Sequence, residues 1–162
     1  MPNTNQTTYP GAMALLNYAR QYYEGAEIIF ASKPGLTSVL YFLYFHTVES
    51  LLKAYLKAHG KERWGHDISK LLGEAQQLGL KIERDRSGRH DLHNVVALLE
   101  TGNAEAAFRY FTLEPRNQPD LAWTRDVVGE LMIAVTPIVE STFDKTKSGG
   151  PVKLDITWRV NG

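Results

Sequence analysis

Cysteine is missing from all 162 residues. Its absence excludes disulfides, thiol nucleophiles and thiolate zinc sites together, and it fits a reducing compartment. A surplus of charge is missing too, since 18 Lys and Arg stand against 18 Asp and Glu. No bulk attraction to nucleic acid follows, and only a local basic patch is left as a route to such a partner. Long apolar runs are also lacking. The longest, Val39 to Phe45, has seven residues, far short of the roughly 20 that a membrane-spanning helix needs. The opening MPNTNQTTYP has neither the basic start nor the apolar middle of a secretory signal. Gly11 and Gly35 stand alone, without phosphate-loop spacing, and no serine or threonine has a convincing His/Asp pairing. These absences lead to the expectation of a soluble, cytoplasmic protein with no cofactor and no membrane partner.

What is present reads as one domain, long enough to bury a core without covalent staples. Residues 1–11 form an Asn/Thr/Gln-rich leader expected to be flexible. From Ala12 to Ala31, Leu15, Ala19, Tyr22, Ala26 and Ile29 recur at helical spacing. Ser32-Lys33-Pro34-Gly35 ends that helix, and so short a connection predicts an antiparallel hairpin with the next. A third helix is predicted from Asp67, as N-cap, to Leu78, closed by Gly79. A fourth is predicted over Asp91–Glu100, broken by Thr101-Gly102-Asn103, with a short helix from Ala104 to Phe111 after it. A long last helix is predicted from Leu121 to Phe143, kinked at Pro137. Residues 144–151 read as a linker. Val152 to Val160 alternates apolar and polar residues, which predicts a short C-terminal β-strand over 152–160.

The second helix, within Leu36–Gly60, organises the rest. Its first half is apolar all round, so it is expected to be surrounded by other helices or by a second copy of the chain. His46, Glu49, Lys53 and Lys57 share one face. Glu49 precedes Lys53 by four residues, the favourable order for a helical ion pair worth roughly 0.2–0.5 kcal/mol.

Two clusters could carry chemistry. His66-Asp67-Ile68-Ser69-Lys70 resembles the His-Asp-Ile-x-Lys signature of HD-type metal phosphohydrolases. That resemblance implies a divalent metal held by His66 and Asp67, with His46 upstream and Asp120 or Asp126 downstream as further ligands. In that family the pair ends an apolar helix, whereas here Arg63-Trp64-Gly65 precedes it and the helix follows. The preferred reading is therefore that Asp67 is a cap, and no metal is assigned. The second cluster, Arg84 to His93, holds Arg84, Arg86, Arg89, His90 and His93. Arginine forks grip phosphate oxygens, and a histidine beside them can act as general acid or base. The alternative is a solvated loop balanced by Glu83, Asp85 and Asp91. The tyrosines and phenylalanines of the first two helices are read as packing.

Phe45-His46-Thr47-Val48-Glu49-Ser50-Leu51-Leu52-Lys53-Ala54-Tyr55-Leu56 resembles the second helix of HEPN domains, with its apolar–Glu–x–x–Leu–Lys–Ala–x–Leu pattern. His66-Asp67-Ile68-Ser69-Lys70-Leu71-Leu72, after Gly60, resembles the next element of that family. Phe108-Arg109-Tyr110 resembles the Arg-Tyr pair before its last helix. The likeness spans about residues 12–143 and implies an all-α, up-and-down bundle of about five helices, commonly a homodimer. Many HEPN proteins are ribonucleases using Arg-x(4–6)-His; others bind nucleotides, RNA or a protein partner such as a nucleotidyltransferase. No histidine follows Arg109 in this chain. Arg84 with His90, and Arg86 with His93, meet the spacing within a single loop. The expected function is thus that of a non-catalytic, homodimeric domain binding RNA, a nucleotide or a protein partner through Arg84–His93. A metal-independent endoribonuclease using one of those pairs is the alternative, and an HD-type phosphohydrolase the second alternative.

Overall fold

Lys33-Pro34-Gly35 reverses the chain after its first helix, and Leu36 N–H closes the turn on the Lys33 carbonyl at 3.1 Å. The computed structural model describes residues 9–82, 92–104 and 119–147. They form α1 (Ala12–Ser32), α2 (Thr37–Ala58), α3 (Ile68–Gln77), α4 (Leu92–Ala104) and α5 (Leu121–Lys147). Among the described residues all regular structure is helical, which gives the all-α bundle that the sequence predicts. The leader up to residue 8, the Arg84–His90 segment, the short helix after Ala104 and the C-terminal strand lie outside the described residues.

Ion pairs fix the directions of the helices. Arg20 meets Glu140 at 2.5 Å while Glu27, further along α1, meets Arg125. The helices α1 and α5 therefore run antiparallel. Along the hairpin, Tyr22 stacks on His46, and a Cβ on Gly25 would lie 3.8 Å from Leu43, so α2 is antiparallel to α1 as well.

The hub is α2. Twelve of its residues are buried, and it packs against each of the other four helices, as no other helix does among the described residues. Leu40, Tyr44, Phe45, Val48, Leu51, Leu52 and Leu56 meet Leu16 of α1, Ile68 and Leu72 of α3, Leu99 of α4 and Leu131 of α5 in one core. Burying a side chain of this size contributes about 1.5–3 kcal/mol.

The ends of α2 and α3 follow one pattern. At Gly79 the backbone is left-handed (φ +98°). Its N–H reaches the Gln76 carbonyl, and Leu80 N–H reaches that of Ala75, both at 3.0 Å. This arrangement satisfies two carbonyls that the helix end would leave bare and turns Leu80 into the core. Gly60 ends α2 in the same way.

Two boundaries differ from the sequence reading. The fourth helix continues through Thr101-Gly102-Asn103 to Ala104. The Thr101 hydroxyl donates to the Ala97 carbonyl at 2.9 Å, and Gly102 is buried, so the missing side chain serves packing rather than a turn. The last helix continues past Phe143 to Lys147, over the start of the expected linker. Pro137 lies inside it. Proline denies the Ile133 carbonyl its usual donor, but Ile133 is on the exposed side, where water can supply one.

Leu52→Ala, at the centre of this core, is expected to lower unfolding stability by about 2–5 kcal/mol in chemical denaturation. Exposed Tyr18→Ala should stay within about 0.5 kcal/mol of the parent.

Candidate functional site

Helical spacing places His46, Glu49 and Lys53 along one side of α2, and burial makes Glu49 the demanding member. Its residue is 5% exposed, and a carboxylate so far from water is tolerable only with charged or hydrogen-bonding partners. It has three. Lys53 Nζ donates to Oε1 at 2.6 Å. His66 Nδ1, arriving from the segment before α3, reaches the same oxygen at 2.7 Å. His46 Nδ1 lies 3.3 Å from Oε2. Burial pushes the Glu49 carboxyl up, and the hydrogen bonds of His46, Lys53 and His66 more than reverse it, holding the group at about 2.

A carboxylate only accepts, so both imidazoles present Nδ1–H to it and keep Nε2 for other work. The two rings have different surroundings. His46 is stacked on Tyr22, with centroids 5.2 Å apart, and has the rings of Phe42 and Phe45 set edgewise against it. His66 is open, with its side chain 73% exposed. Chemically the cluster is an imidazole oriented by a buried carboxylate, beside a lysine that neutralises the carboxylate's charge.

The aspartates that an HD-type metal site would need serve elsewhere, Asp67 as the expected cap. Asp67 caps α3, accepting from the Lys70 amide at 2.8 Å, and that hydrogen bond is the main reason its carboxyl sits below the usual range. Glu100, which accepts from the Ser69 hydroxyl, is held above its usual range by burial and by nearby Asp67. Asp120 caps α5 through the Trp123 amide at 2.9 Å. Asp126 lines a cavity of about 350 Å³ with Tyr23, Arg125, Gly129 and Glu130. Among the described residues no group of three His, Cys, Asp or Glu is placed to hold a metal ion.

Arg84, Arg86, Arg89 and His90 lie outside the described residues, as do Phe108-Arg109-Tyr110. His93 is described, exposed on the first turn of α4.

A second polar cluster joins α1 to α5. Arg125 grips Glu27 with Nε, 2.9 and 3.0 Å from the two oxygens, and with a second nitrogen at 2.7 Å. The Tyr44 hydroxyl donates to the same carboxylate at 3.4 Å. Burial, then Glu27, pushes the Tyr23 and Tyr44 phenols up. The partner of Glu27 is 98 positions away, beyond the reach of local periodicity.

The family model of the HEPN domain matches residues 12–140, from the start of α1 into α5. The chain belongs to the HEPN family. Two solved structures are similar to it. ST0689, an archaeal HEPN homologue, is 18% identical, with a TM-score of 0.44 over 84% of this chain and 98% of that one. TT1696 from Thermus thermophilus is 21% identical, with a TM-score of 0.46 over 83% and 97%. No curated protein matches the chain. Glu49, Lys53 and His66, which belong to the stretches that carry the sequence resemblance to HEPN domains, meet at the buried Glu49 carboxylate.

The cluster predicts an acid limb in stability. The folded value of Glu49, about 2, lies below its ordinary 4.5. Its contribution is therefore complete above about pH 4.5 and is lost as pH falls through 2. The shift corresponds to about 3 kcal/mol. In urea titrations, Glu49→Gln should be less stable by that order at pH 6 and should lose less than the parent between pH 4.5 and 2.

Proposed function

We propose that this HEPN chain is a non-catalytic binding domain that acts as a homodimer and holds RNA or a nucleotide through the Arg84–His93 segment. The observation that carries this reading is the use made of Glu49. It engages His46, Lys53 and His66 together and thereby ties α2 to the entry of α3, so these groups work as a structural joint. The arginines that suit phosphate oxygens lie instead in the segment leading to α4, where His93 is exposed.

The dimer is supported by the free end of the α1–α2 hairpin. Leu36 and Val39 at the start of α2, and Ile28 near the end of α1 (69% exposed), leave apolar surface in water. Because the two helices are antiparallel, these residues lie at the same end of the bundle, where a second copy could cover them.

A second reading, a metal-independent endoribonuclease, is favoured by the place of His93. A histidine exposed on the first turn of a helix, with Arg86 shortly before it, has the spacing and access that such a pair requires.

Sedimentation should show a dimer that Val39→Asp and Ile28→Asp convert to monomer. Replacing Arg84, Arg86 and Arg89 by alanine should weaken binding of a single-stranded oligoribonucleotide. For each phosphate that a variant no longer neutralises, the slope of log affinity against log salt should fall by about 0.7. Binding that is indifferent to all three would sink the assignment to this segment. RNA cleavage by highly purified protein that His93→Ala or His90→Ala abolishes would establish the nuclease instead.

A further inference from the structure

The most exposed large apolar side chain among the described residues belongs to α5. Ile133 is 75% exposed and stands as a ridge between two cavities. One, of about 350 Å³, has Tyr23, Gly129 and Glu130 in its wall. A Cβ on Gly129 would fall 2.9 Å from the Tyr23 hydroxyl, so glycine leaves the phenol its place there. The other, of about 290 Å³, has Lys81, Ile82 and Ala134 in its wall. Asp126, Ile133, Pro137, Ser141 and Asp144 are all exposed. Their spacings of seven, four, four and three make one stripe along the outer side of α5.

The chemistry of this stripe describes what would cover it. Pro137 denies the Ile133 carbonyl its helical donor, which leaves a backbone acceptor beside the exposed side chain. Asp126 and Glu130 have no ion-pair partner among the described residues. Arg125 is engaged with Glu27, so Lys81 alone stands against those two carboxylates, one negative charge in excess. A suitable occupant has an apolar body, an N–H to donate and a positive charge. A phosphate-bearing ligand matches none of the three.

We infer that residues 152–160 of the same chain fill this groove, running back along α5 with Trp158 as the anchor. Val152, Leu154, Ile156, Trp158 and Val160 alternate with polar residues, so an extended chain presents all five on one side. The described residues offer no sheet edge to pair with, and burial of that side on a helix is the remaining way to cover it. Ser148-Gly149-Gly150-Pro151 comes just before. Glycine takes the backbone angles of a reversal, and proline does not continue a helix. The lengths agree. From Lys147 back to Ile133, 14 residues of helix span about 21 Å, and from Lys147 to Glu130, 17 residues span about 25 Å. Beyond Pro151, an extended chain carries Trp158 about 23 Å and Arg159 about 26 Å along the same line. The indole N–H, which only donates, thus comes level with the Ile133 carbonyl. Arg159 comes level with Glu130, and its long side chain can fold back to the carboxylate. Residues 148–160 carry Lys153 and Arg159 against Asp155, one positive charge in excess, the complement of the groove.

The test uses the full chain and two readouts. Trypsin cleaves after Lys153 and Arg159, and mass spectrometry follows the loss of each peptide. Cleavage after Lys153 should be roughly tenfold slower in the parent than in Ile133→Asp or Trp158→Ala, because proteolysis tracks the undocked population. Ile133 is an exposed side chain and Trp158 lies outside the core, so far-UV circular dichroism should be unchanged in both. Equal cleavage in the parent and both variants would overturn the docking. The second readout exploits the absence of cysteine from the chain. Ala134→Cys combined with Ile156→Cys leaves Ile133 and Trp158 in place, and mild oxidation should close a disulfide within one chain. Lys70→Cys with Ile156→Cys should not close one, since Lys70 is on α3, which does not touch α5. Failure of the first pair to close, or closure of both pairs alike, would overturn the placement on α5. A disulfide that joins two copies, and disappears on dilution, would assign the groove to the segment of a second copy and likewise overturn it.

Discussion

A carboxylate with almost no access to water sits at the centre of this HEPN domain, and much of the bundle's order follows from how it is satisfied. Among the described residues Glu49 lies on the one helix that touches all the others, so its partners are drawn from more than one element. Lys53 comes from the next turn of α2 and His66 from the approach to α3. Near its start the segment from His59 to Asp67 is tied to α2 by the Lys61 amide on the Leu56 carbonyl and by the Lys57–Glu62 pair, and the His66 bond ties its far end. Hydrophobic packing decides that α3 lies against α2. The Glu49–His66 bond sets where the chain enters it, a division of labour between non-directional burial and directional hydrogen bonding.

The clasp between α1 and α5 works differently. Arg125 is considerably more exposed than Glu49, so water weakens its pair with Glu27, and the value of the contact lies more in orientation than in energy. Arg20 and Glu140 repeat it further along. Together the two pairs set the direction in which a long helix lies on the hairpin, a choice that apolar packing alone leaves loosely determined.

Much of this was legible in the residue order. The apolar first half of α2, the Glu49–Lys53 pair and the cap at Asp67 depend on neighbours within one or two turns, and local periodicity reports such neighbours well. The family was legible for the same reason, since its pattern is written along α2 and the start of α3. What escaped were contacts between distant positions. His66 reaches Glu49 from 17 residues away by a path that turns at Gly65, and nothing in the spacing announces that path. Arg125 reaches Glu27 across nearly the whole domain. The overrun of α4 through Gly102 has another cause: a glycine that reads as a breaker in sequence is buried against neighbours once the helix is packed.

The place of α5 also bears on how the chain acquires its structure during synthesis. The hairpin of α1 and α2 is local and can form as soon as both helices have left the ribosome. The side of α2 that receives α5, where the Tyr41 hydroxyl bonds to the Pro119 carbonyl, has no covering until 78 further residues separate the two partners. For that interval the helix that carries twelve buried residues in the finished fold is half dressed, and contacts of such long sequence separation are the slow ones to form. The nascent domain therefore passes through a stage in which its future core is its stickiest surface.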